Sequence, residues 1–230
     1  IHRVDPDIID MQEVLHHQLE VLKTGLPEYT VVGVGREDGK TAGEYAPIFF
    51  KQAKYTLLDQ NTFWLCEKPD SVGMVGWDAA LTRIATWVKL QDKKTGQILM
   101  VVNTHFDHIG TEARRNSALL IIEKIKEIVG TSPAILTGDF NVSEDWDAYK
   151  TITNNEFILK DAHKVAGKRT GVDFTYHNFG KIPAEKCEKI DFIFVTPQIR
   201  VISSYIPFSQ LNDTLFLSDH NPEIVELEIK

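Results

Sequence analysis

Thr137-Gly138-Asp139-Phe140-Asn141 closes an apolar run at 134–136 and precedes a polar turn at 143–145. On a strand, residues two apart point the same way, so Asp139 and Asn141 present a carboxylate and an amide together at a strand end. That pair suits a phosphate carrying a bound cation. Asp-x-Asn beside glycine is also ordinary turn chemistry, and the choice between the two depends on what the chain places at its other strand ends.

The same arrangement recurs along the chain. Asn103-Thr104-His105-Phe106-Asp107-His108 ends the apolar run 98–102, and Leu217-Ser218-Asp219-His220-Asn221-Pro222 sets a carboxylate directly before an imidazole, ahead of the last expected strand. Adjacent strand residues point apart, so Asp219 and His220 would do different jobs, and His220 would need a separate carboxylate to orient its ring. Asp191, between Ile190 and Phe192-Ile193-Phe194-Val195, is the candidate. His105 and His108 raise a zinc alternative, but without a companion cysteine or a helical HExxH that pattern is thin. Glu13 follows Ile8-Ile9-Asp10-Met11-Gln12. Alone it reads as a solvated side chain, and the other acids at strand ends strengthen it.

Around these polar ends the chain is strand-rich. Short β-branched and aromatic runs fall at 30–33, 46–51, 62–66, 84–90, 98–104, 134–137, 190–196, 201–207 and 223–229, several of them close enough for antiparallel pairing. Residues 111–129 carry Ala118, Ile121, Ile122, Ile125 and Ile128 at helical spacing, with Glu123, Lys124, Lys126 and Glu127 opposite, which predicts an amphipathic helix. The opening is ambiguous. Ile8, Met11, Leu15, Leu19 and Leu22 fit one helix, while 8–14 also reads as a short strand before a helix ending near Gly25. Many strands with scattered helices argue for a layered α/β or α+β domain.

At 230 residues, with 43% hydrophobic and 25% charged, one globular domain over 1–230 is expected. Disordered, fibrous and membrane-embedded classes do not fit that composition. A net charge of -8 removes the broad positive field that drives non-specific nucleic-acid binding, though a local basic groove or a metal ion still binds phosphate. Cys66 and Cys187 form no CxxC, so two buried free thiols are expected rather than a disulfide framework. No run nears the roughly 18 apolar residues of a membrane span, and IHRVDPD lacks a signal-peptide pattern. The chain starts with Ile, so a processed or trimmed N-terminus is expected, and compartment is not readable.

Taken in order, QE (12–13), NTH (103–105), GDFN (138–141), IDFIF (190–194) and SDH (218–220) resemble the endonuclease/exonuclease/phosphatase superfamily, the fold of pancreatic deoxyribonuclease and the inositol polyphosphate phosphatases, over nearly the whole chain. The resemblance implies an α/β (α+β) fold, a four-layer sandwich of two packed, mainly antiparallel β-sheets flanked by helices. It implies divalent-metal-dependent hydrolysis of a phosphoester by direct attack of an activated water. Glu13 would bind Mg²⁺, with Mn²⁺ the alternative, and Asp219 would lie on the metal side. Asp139 and Asn141 would flank the scissile phosphate, His105 would donate to it, and Asp191 would orient His220. Glu44, in 43–45, matches the acid that holds the NTH histidine in deoxyribonuclease-like members. Arg83 would bind phosphate, with Arg114 and His108 as further candidates of that kind. The resemblance also favours the strand reading of 8–14.

One departure stands out. Members begin with a strand bearing an asparagine some tens of residues before QE, and only 12 residues precede Glu13 here, so the chain is expected to lack that strand as an N-terminally truncated piece. Phe63, Trp64 and Trp77 surround a Gly/Pro/Asp-containing loop and either stack on a substrate ring or belong to the core. The substrate stays open among a phosphorylated small molecule, a lipid head group and a nucleic acid, and no protein partner is implied. The rival reading is a binding module that keeps the fold without catalysis, against which stands the chemical integrity of every downstream motif.

Overall fold

The computed structural model describes residues 1–130, 132–154, 159–212 and 215–230. β1 (Ile8–Asp10) leads into α1 (His16–Gly25), and β2 (Tyr29–Val32) and β3 (Ile48–Lys51) complete a three-stranded antiparallel sheet in the order β1-β3-β2. The ambiguity at the start resolves as a strand and then a helix, because Ile8, Ile9 and Asp10 pair with Phe50, Phe49 and Ile48. Ile8 thereby packs toward the inter-sheet core while Ile9 and Met11 pack with the residues under α1.

Next come β4 (Tyr55–Trp64), β5 (Ile84–Asp92), β6 (Ile98–His105), α2 (Thr111–Val129) and β7 (Ala134–Asp139). α3 (Asp147–Thr153), β8 (Lys160–Asp161), α4 (Ala162–Val165), β9 (Lys168–Gly171) and β10 (Asp191–Val195) follow. β11 (Ile199–Ile206), β12 (Gln210–Asn212), β13 (Leu215–Phe216) and β14 (Ile224–Ile229) complete the described elements. The central sheet is six-stranded in the order β4-β5-β6-β7-β10-β8, antiparallel except for the parallel pair β6–β7 that α2 connects. A parallel pair needs such a crossover, and the amphipathic spacing of 111–129 supplies it. β5 and β6 are buried along most of their length because both faces of this sheet are covered.

Three packed cores separate the layers. Ala118, Ile121, Ile122 and Ile125 of α2, with Tyr149 and Ile152 of α3, pack against Trp87, Met100, Val102, Leu136, Phe192 and Phe194 on one face of the central sheet. On the other face Val88, Leu90, Leu99, Val101, Ile135 and Val195 meet Ile48 and Phe50 of β3 and Ile199 and Val201 of β11. Outside that layer Leu19 of α1 packs with Leu26, Tyr29, Tyr45 and Phe49. The arrangement is the expected sandwich, α+β with mostly antiparallel sheets. Its second layer consists of two three-stranded sheets, β1-β3-β2 and β14-β11-β9, rather than one.

Sequence reading missed what carries little apolar signal. β4 runs back to Tyr55 rather than starting at 62, because Thr56, Asp59, Gln60 and Asn61 hide a strand paired with β5 along its whole length. The short elements β8, β9, α3 and α4 have too few residues for a periodicity. Cys66 is buried but Cys187 is only half-buried, which corrects the expectation of two buried thiols, since Cys187 sits just after a short 3₁₀ turn with no buried residues. Among the described residues no helix is long and apolar enough to cross a membrane. Ile121, with 0% exposure in the α2 core, gives a direct test of this packing: Ile121→Ala should cost about 2–5 kcal/mol in urea denaturation, and a loss below about 1 kcal/mol would mean α2 does not pack as described.

Candidate active site

The register of the central sheet assembles the site. His105 at the end of β6 pairs with Asp139 at the end of β7, and Asp191 at the start of β10 pairs with Asp139 from the other side. Since residues in register on neighbouring strands share a face, three residues from distant motifs stand side by side at one end of the sheet. Gly138 permits this: a Cβ there would lie 2.3 Å from the Thr104 carbonyl oxygen, so no other residue fits the close approach of β7 to β6.

Asp139, 5% exposed, accepts from the Asn141 main-chain N–H at 2.9 Å, and its Oδ2 lies 3.5 Å from His105 Nε2 and 3.9 Å from His220 Nε2. Burial, reinforced by the Asp191 charge, pushes its carboxyl up to about 8. Asn141 has φ +50°, a left-handed conformation that asparagine tolerates better than most residues. This turn aims its side-chain Nδ2 at His105 Nε2 (3.1 Å) and the Phe106 carbonyl (3.0 Å). His105 is held well below the ordinary histidine range by burial and by the nearby Arg83 and Arg36 charges, so its ring is neutral.

His220 Nδ1 and Asp191 Oδ2 are 2.7 Å apart. Burial works to lower the imidazole's pKa, but the Asp191 bond and the carboxylates around it outweigh burial and push it up to about 9. The Tyr176 ring lies 5.0 Å from the His220 ring, centroid to centroid. Thr175 fixes both segments that carry the pair: its hydroxyl accepts from the N–H groups of Ile190 and Asp191 at 3.0 and 3.1 Å, and its carbonyl accepts from the Asn221 N–H at 2.7 Å. Nothing in the sequence around 175 marks that role.

Glu13 stands 4.0 Å from His105 Nε2, its side chain 63% exposed, with φ +60°. Its pKa is raised, first by desolvation and then by the charges of Glu44 and Asp219. Val14 bridges antiparallel to Tyr45, which brings the segments that carry Glu13 and Glu44 together, close enough for the Glu44 charge to act on Glu13. Glu44 is bonded to Arg36, not to His105. Glu44 and His105 share the lining of a small cavity with Arg36, Tyr45 and Arg83, and the buried His105 Nδ1 has no hydrogen-bond partner among the described residues.

Arg83, 4% exposed, is oriented by Asp107, whose Oδ2 accepts from its Nε at 3.4 Å. Its Nη2 meets His108 Nδ1 at 3.1 Å and its Nη1 has no partner among the described residues. His108 is therefore turned to Arg83 while His105 faces Asn141 and Asp139, which separates the two rings of the zinc alternative. Arg114 donates from Nη1 to the Asp107 carbonyl (2.9 Å) and from Nη2 to the Thr111 hydroxyl (3.4 Å) and stacks on Trp146, so it braces the loop after β6, while its buried Nε has no partner among the described residues. Asp107 is the hub that sequence reading missed. It accepts from Leu81, Ile109 and Gly110 as well as Arg83, and although burial opposes it, these main-chain donors hold its carboxyl well below the usual range. Phe63 and Trp64 belong to the core, and Trp77 alone of the three is partly exposed.

The donor set fits a hard divalent cation. Desolvation raises the cost of ionising Glu13, and the neighbouring charges of Glu44 and Asp219 raise it further, a repulsion that a cation relieves. Their oxygens, with no thiolate nearby, suit Mg²⁺ or Mn²⁺ rather than zinc. Among the described residues, the three that bring one ligand atom each within 4.8 Å of the others are Asp139, Asp191 and His220, but there His220 Nδ1 is already committed to Asp191.

Comparison with known proteins agrees with this architecture. The chain is 63% identical to the endonuclease/exonuclease/phosphatase from Bacteroides vulgatus, covering 100% of this chain and 87% of that one with a TM-score of 0.97. It is 37% identical to a mannosyl-6-phosphatase of Bacteroides thetaiotaomicron, covering 99% and 87% with a TM-score of 0.92. An uncharacterised protein of Acanthamoeba polyphaga mimivirus is 28% identical over 242 residues, 99% of this chain and 88% of that one. The sequence profile of the Endonuclease/Exonuclease/phosphatase family matches residues 1–220, and the chain belongs to that family.

Proposed function

We propose that the protein hydrolyses a phosphoester with the help of a divalent cation, by direct attack of water. The observation that carries this reading is the line-up of His105, Asp139 and Asp191 in register, with His220 bonded to Asp191 and facing Asp139. Glu13 and Asp219 would hold the cation, Mg²⁺ or Mn²⁺, which supplies neutralisation of charge on the phosphoryl oxygens. Asp139, facing both His105 and His220 across the site, is placed to take a proton from the attacking water. Asn141 holds the water or a phosphoryl oxygen. His220, pushed up to about 9, is protonated at neutral pH and serves as the acid toward the leaving oxygen, with Asp191 fixing its ring. Arg83 offers the unpartnered Nη1 to a phosphoryl oxygen, while His105 and Asn141 set the geometry around it.

For the substrate, the 37% identity to a mannosyl-6-phosphatase favours a small phosphorylated molecule such as a sugar phosphate over a nucleic acid, in line with the net charge of -8. A binding module without catalysis is the weaker reading, because a site released from selection has no reason to keep a 2.7 Å Asp–His pair opposite a buried aspartate.

Activity against a sugar phosphate and against a generic diester, with Mg²⁺ or EDTA, tests the proposal. Turnover should vanish with EDTA and return with Mg²⁺, and Asp139→Ala and His220→Ala should each lower kcat by about 10²–10⁴-fold. Wild-type turnover in either variant, or turnover indifferent to EDTA, would remove the corresponding role. The dyad also has a signature in stability. Held above its ordinary value near 6.5, His220 contributes stability that is complete below about pH 6.5 and lost as pH rises through about 9. In metal-free buffer the difference in unfolding free energy between wild type and Asp191→Asn should therefore be largest near about pH 6 and shrink toward about pH 10; a difference that grows with pH would contradict the pairing.

A further inference from the structure

Asp191 and His220 come from separate stretches of chain, and their 2.7 Å contact requires the start of β10 and the loop before β14 to be held at a fixed separation. Two residues outside every motif tie these segments together. Lys189, two residues before Asp191, and Glu223, three after His220, form an ion pair at 2.8 Å with side chains 7% and 3% exposed. The same ammonium donates to the Asp191 carbonyl at 2.7 Å and lies 4.0 Å from the centroid of the Phe192 ring. Glu223 is held in turn by Ser204 of β11, whose hydroxyl lies 3.2 Å from its Oε1 and 2.8 Å from His163 Nδ1. The ammonium, the Asp191 main chain, the carboxylate and the second sheet layer thus form one connected set of contacts.

A buried ion pair adds little net stability over apolar residues of the same volume, because desolvation offsets the attraction between the charges. What it does supply is direction: an ammonium that bonds both a carboxylate and a chosen carbonyl fixes two backbones in one geometry. We propose that the Lys189–Glu223 pair is a positioning clamp for the Asp191–His220 dyad, acting on catalysis through the placement of Asp191. The inference rests on the acid role assigned to His220 above. Lys189 and Glu223 touch no substrate in this scheme. Thr175 ties the main chains of the same two segments through neutral hydrogen bonds, and the ion pair adds the charged tie nearest the Asp191 carbonyl.

Truncating Lys189 alone would leave Glu223 buried and unpaired, so the decisive variant replaces both, Lys189→Met with Glu223→Leu, which keeps the volume and removes the charges. Its melting temperature should stay within about 5 °C of wild type, while kcat on the phosphoester falls at least about tenfold and KM changes less than about threefold. Lys189→Arg, which retains a charged donor, should keep kcat within about threefold of wild type. Made in an Asp191→Asn background, the same pair replacement should lower kcat by less than about twofold, because the residue it acts through is already lost. Unchanged kcat in a folded pair replacement, an equal loss in the Asp191→Asn background, or a pair replacement that fails to fold would each overturn the clamp. Full activity in Asp191→Asn itself would instead overturn the reading of the dyad.

Discussion

The close approach of Gly138 to the Thr104 carbonyl is the constraint on which the rest depends. Only a residue without a side chain lets β7 lie against β6 at that point, 2.3 Å from where a Cβ would stand. With the two strands in parallel register there, His105 and Asp139 fall level, and the antiparallel strand β10 brings Asp191 to the same level from its N-terminal end. A slip of one residue would turn every one of these side chains to the opposite face. The large apolar side chains of the same strands resist that slip, because Leu136, Phe192 and Phe194 would leave the α2 core for the inter-sheet core.

A second constraint joins the two sheet layers through polar groups rather than apolar ones. Asn103, with 0% exposure, donates to the Met11 and Pro47 carbonyls at 2.7 and 3.0 Å and accepts from Gln12 at 2.7 Å. Thr137 donates to Asp10 at 2.9 Å, and burial pushes that aspartate up to about 7 against the help of this bond. Such a network is costly unless satisfied and directional when it is. Here it pins residues 10–12 onto β6 and β7, and Glu13 is the next residue along. The acid that faces the site is therefore placed by contacts of its neighbours, and its own side chain stays free and mostly exposed.

This division explains what the sequence could tell. Periodicity is a property of contiguous residues, so α2 over 111–129 and the apolar ends of β6, β7 and β10 were readable, and the motifs at those ends were readable as candidates. Order of motifs supplied the family. What stayed hidden was contact between residues far apart in the chain: the hub at Asp107, the knot at Thr175, the Asn103–Gln12 bond, and the partner choice of Glu44, which bonds Arg36 rather than His105. Arg114 shows the limit well. A buried arginine at a helix start has the same letter whether it meets a phosphate or a carbonyl, and only the fold shows that two of its nitrogens meet Asp107 and Thr111 while its Nε has no partner among the described residues.

The site also carries a cost that the cores must offset. Glu13 and Asn141 both hold left-handed backbone conformations, Glu13 ionises against Glu44 and Asp219, and Asp139 ionises against Asp191 in a buried setting. Strain and like charge of this kind cost a few kcal/mol at most per position and persist only where the surroundings over-determine them. The surroundings here are rigid on three sides: the α2 core behind β7, the inter-sheet core beneath β6, and the polar network under residues 10–12. The fourth side is open, and among the described residues the cations that face these acids are Arg83 and His220 near Glu13 and Arg36 on Glu44. Positive charge that arrives with a ligand therefore meets carboxylates whose backbones are already fixed in place. It recovers repulsion stored by folding and leaves little reorganisation to be done at the moment of reaction.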